Sequence, residues 1–296
     1  MQLRLSNQGR LHFIVFLWGF TGVLGALISL DALDLVWYRM GIAVLVLAVV
    51  FGFFKTPLRI PFKALGFFIL AGLIIALHWI TFFHAIKISN VSVTLACLST
   101  GAFFTALLEP IAYKRKIKIN EVILGGMAMI GISLIFKFER TYSLGILTAL
   151  FSAFLSALFS VINGIMVKNY EPKTITFYEL TGGWLVLSLF LVVIGKFELG
   201  LPHLNFKDWV LMLALSTFCT AYAFIVSVDV MKELSPFTVV LTINLEPIYG
   251  ILLAWLVLGD VEKMSEAFYI GALLILASVG INAYLNVRKR NFKRAV

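Results

Sequence analysis

The chain alternates long apolar runs with short polar breaks. Each apolar run has about twenty residues, the length that an α-helix needs to cross a hydrocarbon core of ~30 Å. The runs cover residues 11–30, 33–54, 63–84, 91–113, 121–136, 144–167, 174–194, 206–228, 236–258 and 266–287. This pattern predicts an all-α integral membrane protein with ten transmembrane helices, which we number spans 1 to 10.

The amino-acid composition supports the same class of protein. Of the residues, 61% are hydrophobic and 13% are charged, whereas an ordinary soluble domain has about 25% charged residues. With a mean hydropathy of +1.01, the chain has too little polar surface to face water on all sides. The two cysteines, Cys97 and Cys219, lie inside apolar runs, so we interpret both as packing residues rather than metal ligands.

The basic residues predict how the chain is oriented. The net charge of +9 is spread over short loops rather than along one helix, which argues against a nucleic-acid partner. If the N-terminus is cytoplasmic, seventeen Lys and Arg residues fall in inner segments and six in outer segments. Because positively charged loops are retained in the cytoplasm, this asymmetry predicts that both termini are cytoplasmic.

The two halves of the chain are related by an internal repeat. A shift of 145 residues superimposes Lys87 on Lys232, Lys118 on Lys263, Glu121 on Glu266, Gly126 on Gly271 and Ser133 on Ser278. Since five spans per copy is an odd number, the second copy must enter the membrane from the opposite side. The pattern therefore predicts two inverted five-helix repeats, residues 1–140 and 141–296, a plan by which many secondary transporters achieve alternating access.

Residues in both halves also resemble a known family. The segment LEPIYGILLAWLVLGD at 245–260, followed by GALLILAS at 271–278, looks like the ending of an EamA domain of the drug/metabolite transporter superfamily. The Trp-Gly pair at 18–19 is similar to an early element of that family. The first half departs from the motif, since Ala102 stands where Pro247 stands in the second half.

The resemblance implies a fold and a range of substrates. It implies ten helices in the plasma membrane (in bacteria, the inner membrane), with a central cavity lined mainly by spans 1, 3, 4, 6, 8 and 9. It also implies substrates such as amino acids, amines, drugs or other metabolites, which are often exported. The expected partners are the small-molecule substrate and the lipid bilayer, with a second copy of the chain as a candidate and no nucleic acid.

Glu246 is the first candidate binding residue. It lies about ten residues into span 9 and directly precedes Pro247, which removes a backbone donor and loosens the helix. A carboxylate near the membrane midplane is costly, so it is a candidate proton carrier or a counter-charge for a cationic substrate. The alternative is a structural role, in which Glu246 pairs with a neighbouring helix.

Other candidates offer aromatic rings or neutral polar groups. His78, Trp79 and Phe82 form a polar and aromatic face on span 3, although His78 could instead bond to a backbone carbonyl. The remaining candidates are Trp18, Tyr222 and Tyr249 as an aromatic cage, and Ser99 and Asn163 as polar contacts. For each aromatic residue the competing interpretation is packing or contact with lipid.

Four further charged residues lie nearer the predicted helix ends. We expect Arg39, Glu109, Glu179 and Asp229 to reach the interface or to form salt bridges with loops. The sequence contains no His-Glu-x-x-His, Gly-x-Ser-x-Gly or phosphate-binding Gly-x-x-x-x-Gly-Lys motif. We therefore expect no enzymatic activity, no metal site and no cofactor.

These observations favour a secondary transporter or facilitator of small organic metabolites, with a site at the midplane. Phosphorylated substrates need Lys or Arg at the site, and the predicted cavity spans carry none at mid-depth. The expected substrates are thus zwitterionic or cationic, such as amino acids, amines or cationic drugs, and the expected direction is export. The alternatives are a membrane enzyme acting on a lipid or isoprenoid, and a non-transporting scaffold.

Overall fold

The computed structural model describes residues 6–116, 119–197 and 204–295, and within these ranges the regular secondary structure is helical. The α-helices are α1 (Asn7–Leu27), α2 (Ala32–Phe53), α3 (Phe62–Ile88), α4 (Val91–Leu98), α5 (Gly101–Ala112), α6 (Ile119–Phe138), α7 (Ser143–Met166), α8 (Pro172–Val193), α9 (Phe206–Ser216), α10 (Ala223–Val230), α11 (Pro236–Ile243), α12 (Glu246–Leu258) and α13 (Glu266–Ala295). The π-helical turn Thr217–Tyr222 joins α9 to α10. Lys118, one of the residues matched by the internal repeat, lies outside the described residues.

Polar side chains determine where several helices begin. Ser6, Asp31, Asn90, Asn205 and Ser235 each precede a helix, and each accepts a hydrogen bond from the backbone N–H three residues later. Such N-caps satisfy amide donors that have no partner inside the helix. The apolar runs therefore end at short polar breaks that also start the next helix.

Eight helical segments of the described chain are long and apolar enough to cross a membrane. They coincide with predicted spans 1 to 4 and 6 to 9. Spans 5 and 10 correspond to α6 and α13, which pack along each other at Gly131 and Gly271. A Cβ atom on Gly131 would lie 2.6 Å from the Gly271 carbonyl oxygen, so these small residues allow close backbone approach.

Apolar side chains cover much of the outer surface of the bundle. Phe53, Phe62 and Phe206 are 80%, 88% and 85% exposed, and many Leu, Val and Ile side chains are exposed beside them. An outer surface of this kind would aggregate in water, whereas hydrocarbon solvates it without cost. The distribution of apolar residues therefore fits a protein surrounded by lipid.

Spans 4 and 9 are interrupted at matching positions. Span 4 is divided into α4 and α5 at Ser99–Thr100, and span 9 is divided into α11 and α12 at Asn244–Leu245. The two breaks are 145 residues apart, which is the shift that relates the two halves of the sequence. Paired interruptions of this kind are typical of transporters, where irregular backbone borders a cavity.

Candidate functional site

A cavity lies between the helices, with about 620 Å³ of empty space that includes its opening to solvent, and we call it the central cavity. The six spans implied by the family resemblance all contribute to the wall, and span 2 contributes as well. The lining residues are Trp18, Thr21, Arg39, His78, Trp79, Phe82, Leu98, Ser156, Phe159, Ser160, Phe224, Ser227, Met231, Ile243 and Glu246.

Arg39 of α2 places a positive charge in the cavity wall. Its side chain is only 1% exposed, and its Nε atom donates a hydrogen bond of 2.7 Å to Thr220 Oγ1. The guanidinium carbon lies 3.9 Å from the centre of the Trp79 ring and 5.5 Å from that of Phe83. This stacking on aromatic faces stabilises the cation and fixes its orientation. One terminal nitrogen, Nη1, is buried without a hydrogen-bond partner among the described residues.

Glu246 places a carboxyl group in the same cavity. It is the first residue of α12, just after the break in span 9, and it is 6% exposed. The first turn of a helix favours a negative charge, and Pro247 loses no intrahelical hydrogen bond at this position. In the described part of the chain, no donor is hydrogen-bonded to the Glu246 carboxyl group, and Arg39 attracts it through charge without forming a salt bridge.

His78 lines the cavity and is also tied to a neighbouring helix. Its Nδ1 atom lies 3.0 Å from the Ser152 carbonyl oxygen and 2.8 Å from Ser152 Oγ. Since that hydroxyl donates its hydrogen to the His78 carbonyl oxygen at 2.9 Å, Nδ1 must carry the ring proton. The backbone bond that was the alternative interpretation of His78 is therefore present, and it leaves Nε2 as the acceptor on the remaining side of the neutral ring.

The π-helical turn in span 8 holds two of the cavity residues. Trp18 of α1 donates from Nε1 to the Cys219 carbonyl oxygen at 2.9 Å, and Arg39 of α2 is bonded to Thr220. Thr220 Oγ1 in turn donates to the Leu215 carbonyl oxygen, five residues earlier, at 2.8 Å. A π-turn frees backbone carbonyl groups and is frequent at functional sites. Here it connects spans 1 and 2 to span 8 beside the cavity.

Comparison with known families identifies the class of protein. The sequence model of the EamA-like transporter family matches residues 11–137 and, a second time, residues 143–284. The chain belongs to the EamA-like transporter family. It is therefore an integral membrane protein, and the members of its family are typically transporters rather than enzymes.

Solved structures share the fold of this EamA-like protein. Matches occur to 27 chains. One of them is a crystal structure described only as that of a protein, and the match covers 94% of this chain and 96% of the other, with a TM-score of 0.67 and 17% sequence identity. At this identity the likeness concerns the fold alone. A comparison with curated proteins finds no match.

In this EamA-like protein, five of the nine predicted binding residues line the central cavity. They are Trp18, His78, Trp79, Phe82 and Glu246. The other four lie elsewhere. Tyr222 is 46% exposed beside Phe13 on the outside, and Tyr249 packs against the backbone of Gly19. The amide of Asn163 faces the carboxyl group of Glu179, and Ser99 donates to the Leu95 carbonyl oxygen at the break in span 4.

The expectation for charged residues near helix ends is confirmed for two of them. Glu109 lies 3.4 Å from Arg115, and Asp229 forms a 2.7 Å salt bridge with Arg10. The same expectation is wrong for Arg39, which lines the cavity, and for Glu179, which is completely buried. Both were placed by counting residues from a helix end, and this count does not show which side of the helix faces inward.

The polar cavity residues that sequence reasoning missed include Arg39 and three serines on spans 6 and 8, namely Ser156, Ser160 and Ser227. In the structure, Arg39 lies on the buried stripe formed by Leu35, Val36, Met40 and Ala43 of α2. Because α2 is apolar on every side, that stripe cannot be distinguished in the sequence. Among the described residues, no group of three His, Cys, Asp or Glu side chains could hold a metal ion.

Proposed function

We propose that this protein is a secondary transporter or facilitator that moves small organic solutes by alternating access around the central cavity. The observation that carries this proposal is the shared lining of the cavity by the two halves of the chain. Trp18, Arg39 and His78 come from the first half, whereas Phe159 and Glu246 come from the second. A solute held between the two halves would be exposed to one side of the membrane or the other as they rock.

The ten-span inverted arrangement is part of the proposal, and contacts between spans 4 and 9 support it. Glu109, near the end of span 4, accepts a 2.9 Å hydrogen bond from the backbone N–H of Phe237 at the start of span 9. Glu262, just after α12, accepts bonds of 3.0 and 2.8 Å from the backbone N–H groups of Val91 and Ser92 at the start of span 4. Each span therefore ends beside the beginning of the other, as antiparallel helices do.

These two carboxylate contacts also suggest how the cavity is closed. Each contact joins the beginning of one broken span to the end of the broken span in the other repeat, and the two contacts lie at opposite ends of this pair of spans. We infer that rocking opens one contact while the other remains formed. A carboxylate bonded to helix N-terminal amides is a strong but reversible connection, since water can replace it when the end opens.

The proposed substrates are amino acids, amines or cationic drugs, and the proposed direction is export across the plasma membrane with both termini in the cytoplasm. Glu246 offers a negative charge, and Trp18, Trp79 and Phe82 offer aromatic faces that attract an ammonium group and bury an apolar side chain. The positive-inside distribution of Lys and Arg supports the orientation.

Transport can be tested with the purified full-length protein in liposomes. We expect time-dependent uptake of at least one solute from a panel of amino acids, amines and organic cations, above the leak of protein-free liposomes. A lipid-modifying enzyme would consume its substrate without moving it, and a scaffold would do neither. Chemical conversion of lipid without solute uptake would overturn the proposal.

Orientation can be tested by labelling a cysteine introduced at Asn291, in the basic C-terminal segment. The seventeen-to-six distribution of positive residues predicts that this position is cytoplasmic. A membrane-impermeant thiol reagent should label it only after the membrane is permeabilised. The two native cysteines are buried and serve as an internal background control. Labelling in intact cells would contradict the orientation.

A further inference from the structure

We propose that Arg39 binds a carboxylate of the substrate, so that the central cavity selects zwitterionic solutes over amines and cations with the same apolar part. The inference rests on the transport function proposed above and narrows its range of substrates. It makes Arg39 the residue that distinguishes an amino acid from the corresponding amine.

The first step is that the guanidinium group of Arg39 has N–H donors that no described residue accepts. Its Nε atom is bonded to Thr220, and the ring of Trp79 covers one face of the guanidinium group. The end that carries Nη1 and Nη2 forms no hydrogen bond with a described residue, and Nη1 is fully buried. A buried cation with an unsatisfied donor is costly unless an acceptor reaches it.

The second step is that the free end of the guanidinium group has the shape of a carboxylate site. Two parallel N–H donors on a rigid plane match the two oxygens of a carboxylate, and this pairing is stronger than a neutral hydrogen bond. The stacking on Trp79 and the bond to Thr220 restrict rotation of the side chain. Arg39 is therefore oriented before a ligand arrives, which lowers the entropic cost of binding.

The third step concerns the balance of charge in the cavity. Its described wall contains one guanidinium group, Arg39, and one carboxyl group, Glu246, which attract each other through charge but form no salt bridge. A phosphate dianion would meet one cation and one repelling carboxylate, whereas a simple amine would leave the Nη1 end of Arg39 without an acceptor. A zwitterion satisfies both groups, because its carboxylate meets Arg39 and its ammonium meets Glu246 or the aromatic rings.

The experiment measures binding of three ligands that share one apolar part. Phenylalanine carries both charges, 2-phenylethylamine lacks the carboxylate and 3-phenylpropanoate lacks the ammonium. Calorimetry on the full-length protein in nanodiscs gives the three affinities without interference from leakage of the amine through lipid. The same comparison with valine, isobutylamine and 3-methylbutanoate covers a smaller side chain. We expect each amino acid to bind at least about tenfold more tightly than its amine, the order of magnitude of one charged hydrogen-bond pair.

Substitutions then assign this preference to Arg39. R39Q should reduce the amino-acid to amine ratio to near one while leaving amine binding largely intact, and R39K should retain part of the preference because it keeps the charge but not the planar fork. Arg10→Gln is the matched control, since Arg10 pairs with Asp229 outside the cavity, and all affinities should be unchanged.

The outcomes separate this proposal from the transport function. If wild-type protein binds the amines as tightly as the amino acids, or binds no member of either series, the role of Arg39 is wrong, whether or not R39Q folds. If R39Q folds and keeps the wild-type preference, the role is also wrong. If the preference depends on Arg39 but proteoliposomes accumulate no amino acid, the carboxylate site stands and the transport function fails.

Discussion

Glu246 and Glu179 both lie inside membrane-spanning helices, and both are withdrawn from solvent, at 6% and 0% exposure. Glu246 is the first residue of a half-helix and faces the central cavity, where no described donor satisfies it. Glu179 lies in the continuous helix α8, and its carboxyl group receives the amide of Asn163 from α7. The two carboxyl groups therefore have similar burial and opposite surroundings.

Under the proposed function, this difference separates a binding group from a structural group in lipid. The backbone of Glu179 touches α3 so closely that a Cβ atom on Gly72 would collide with the Glu179 carbonyl oxygen. A buried polar group that is satisfied inside such tight packing stabilises the arrangement of helices. A buried charge that borders a cavity and lacks a partner is available to a solute. Burial and depth alone would assign both residues the same role.

The largest expected effect is that of Glu246→Gln on transport. The amide keeps the shape of the side chain but removes the charge that balances Arg39 and attracts an ammonium group. We expect the initial rate of uptake in proteoliposomes to fall about 100-fold, which corresponds to ~2.7 kcal/mol and is within the range for a lost charged interaction.

The control for this substitution is Glu233→Gln, which removes a carboxylate from the exposed turn after α10. It should leave uptake unchanged. The thermal unfolding temperature of Glu246→Gln should stay near that of the wild type. Uptake by Glu246→Gln at the wild-type rate, with the same pH dependence, would show that Glu246 is structural and that the comparison with Glu179 is mistaken.

The next effect is that of Gly72→Ala on stability. A methyl group at this position would collide with the Glu179 carbonyl oxygen and the backbone nitrogen of Gly183, so α3 and α8 must separate. Overpacking of this kind costs about 1–3 kcal/mol, measured as a lower midpoint of denaturation in detergent. Gly66→Ala on the same helix is the matched control, because nothing lies within 4 Å of its added Cβ atom. Equal stability of the two variants would contradict the close packing around Glu179.

Eight of the predicted spans, 1 to 4 and 6 to 9, are membrane-length apolar helices of the described chain, because the thickness of the bilayer directly sets the length of an apolar helix. The break in span 9 was also indicated, since Pro247 cannot continue the backbone hydrogen bonds of a helix. The break in span 4 could not be found in this way, because its proline, Pro110, lies well after Ser99 inside α5. The π-turn at Thr217–Tyr222 has no proline or glycine that would mark it.

The orientation of side chains was the part of the site that the sequence could not supply. In a soluble helix the polar face identifies the buried face, but a transmembrane helix is apolar towards both lipid and protein. Tyr222 and Tyr249 were therefore assigned to the cavity although they lie outside it, and Arg39 was assigned to the interface although it lies within the wall. His78 and Trp79, which the sequence analysis assigned to the binding site, do lie in the cavity wall.

The smallest expected effect is that of Glu179→Gln, and it is the most direct test of the comparison with Glu246→Gln. The glutamine carbonyl oxygen can still accept the hydrogen bond from Asn163, and the side chain keeps its volume inside the packed helices. We expect stability to change by less than about 1 kcal/mol, since one hydrogen bond is replaced by a similar one, and uptake to stay within about twofold of the wild-type rate. Initial uptake rates, normalised to the amount of folded protein from size-exclusion chromatography, provide the measurement. A loss of transport as large as that of Glu246→Gln, without loss of folded protein, would mean that Glu179 takes part in the transport cycle despite having no place in the cavity wall.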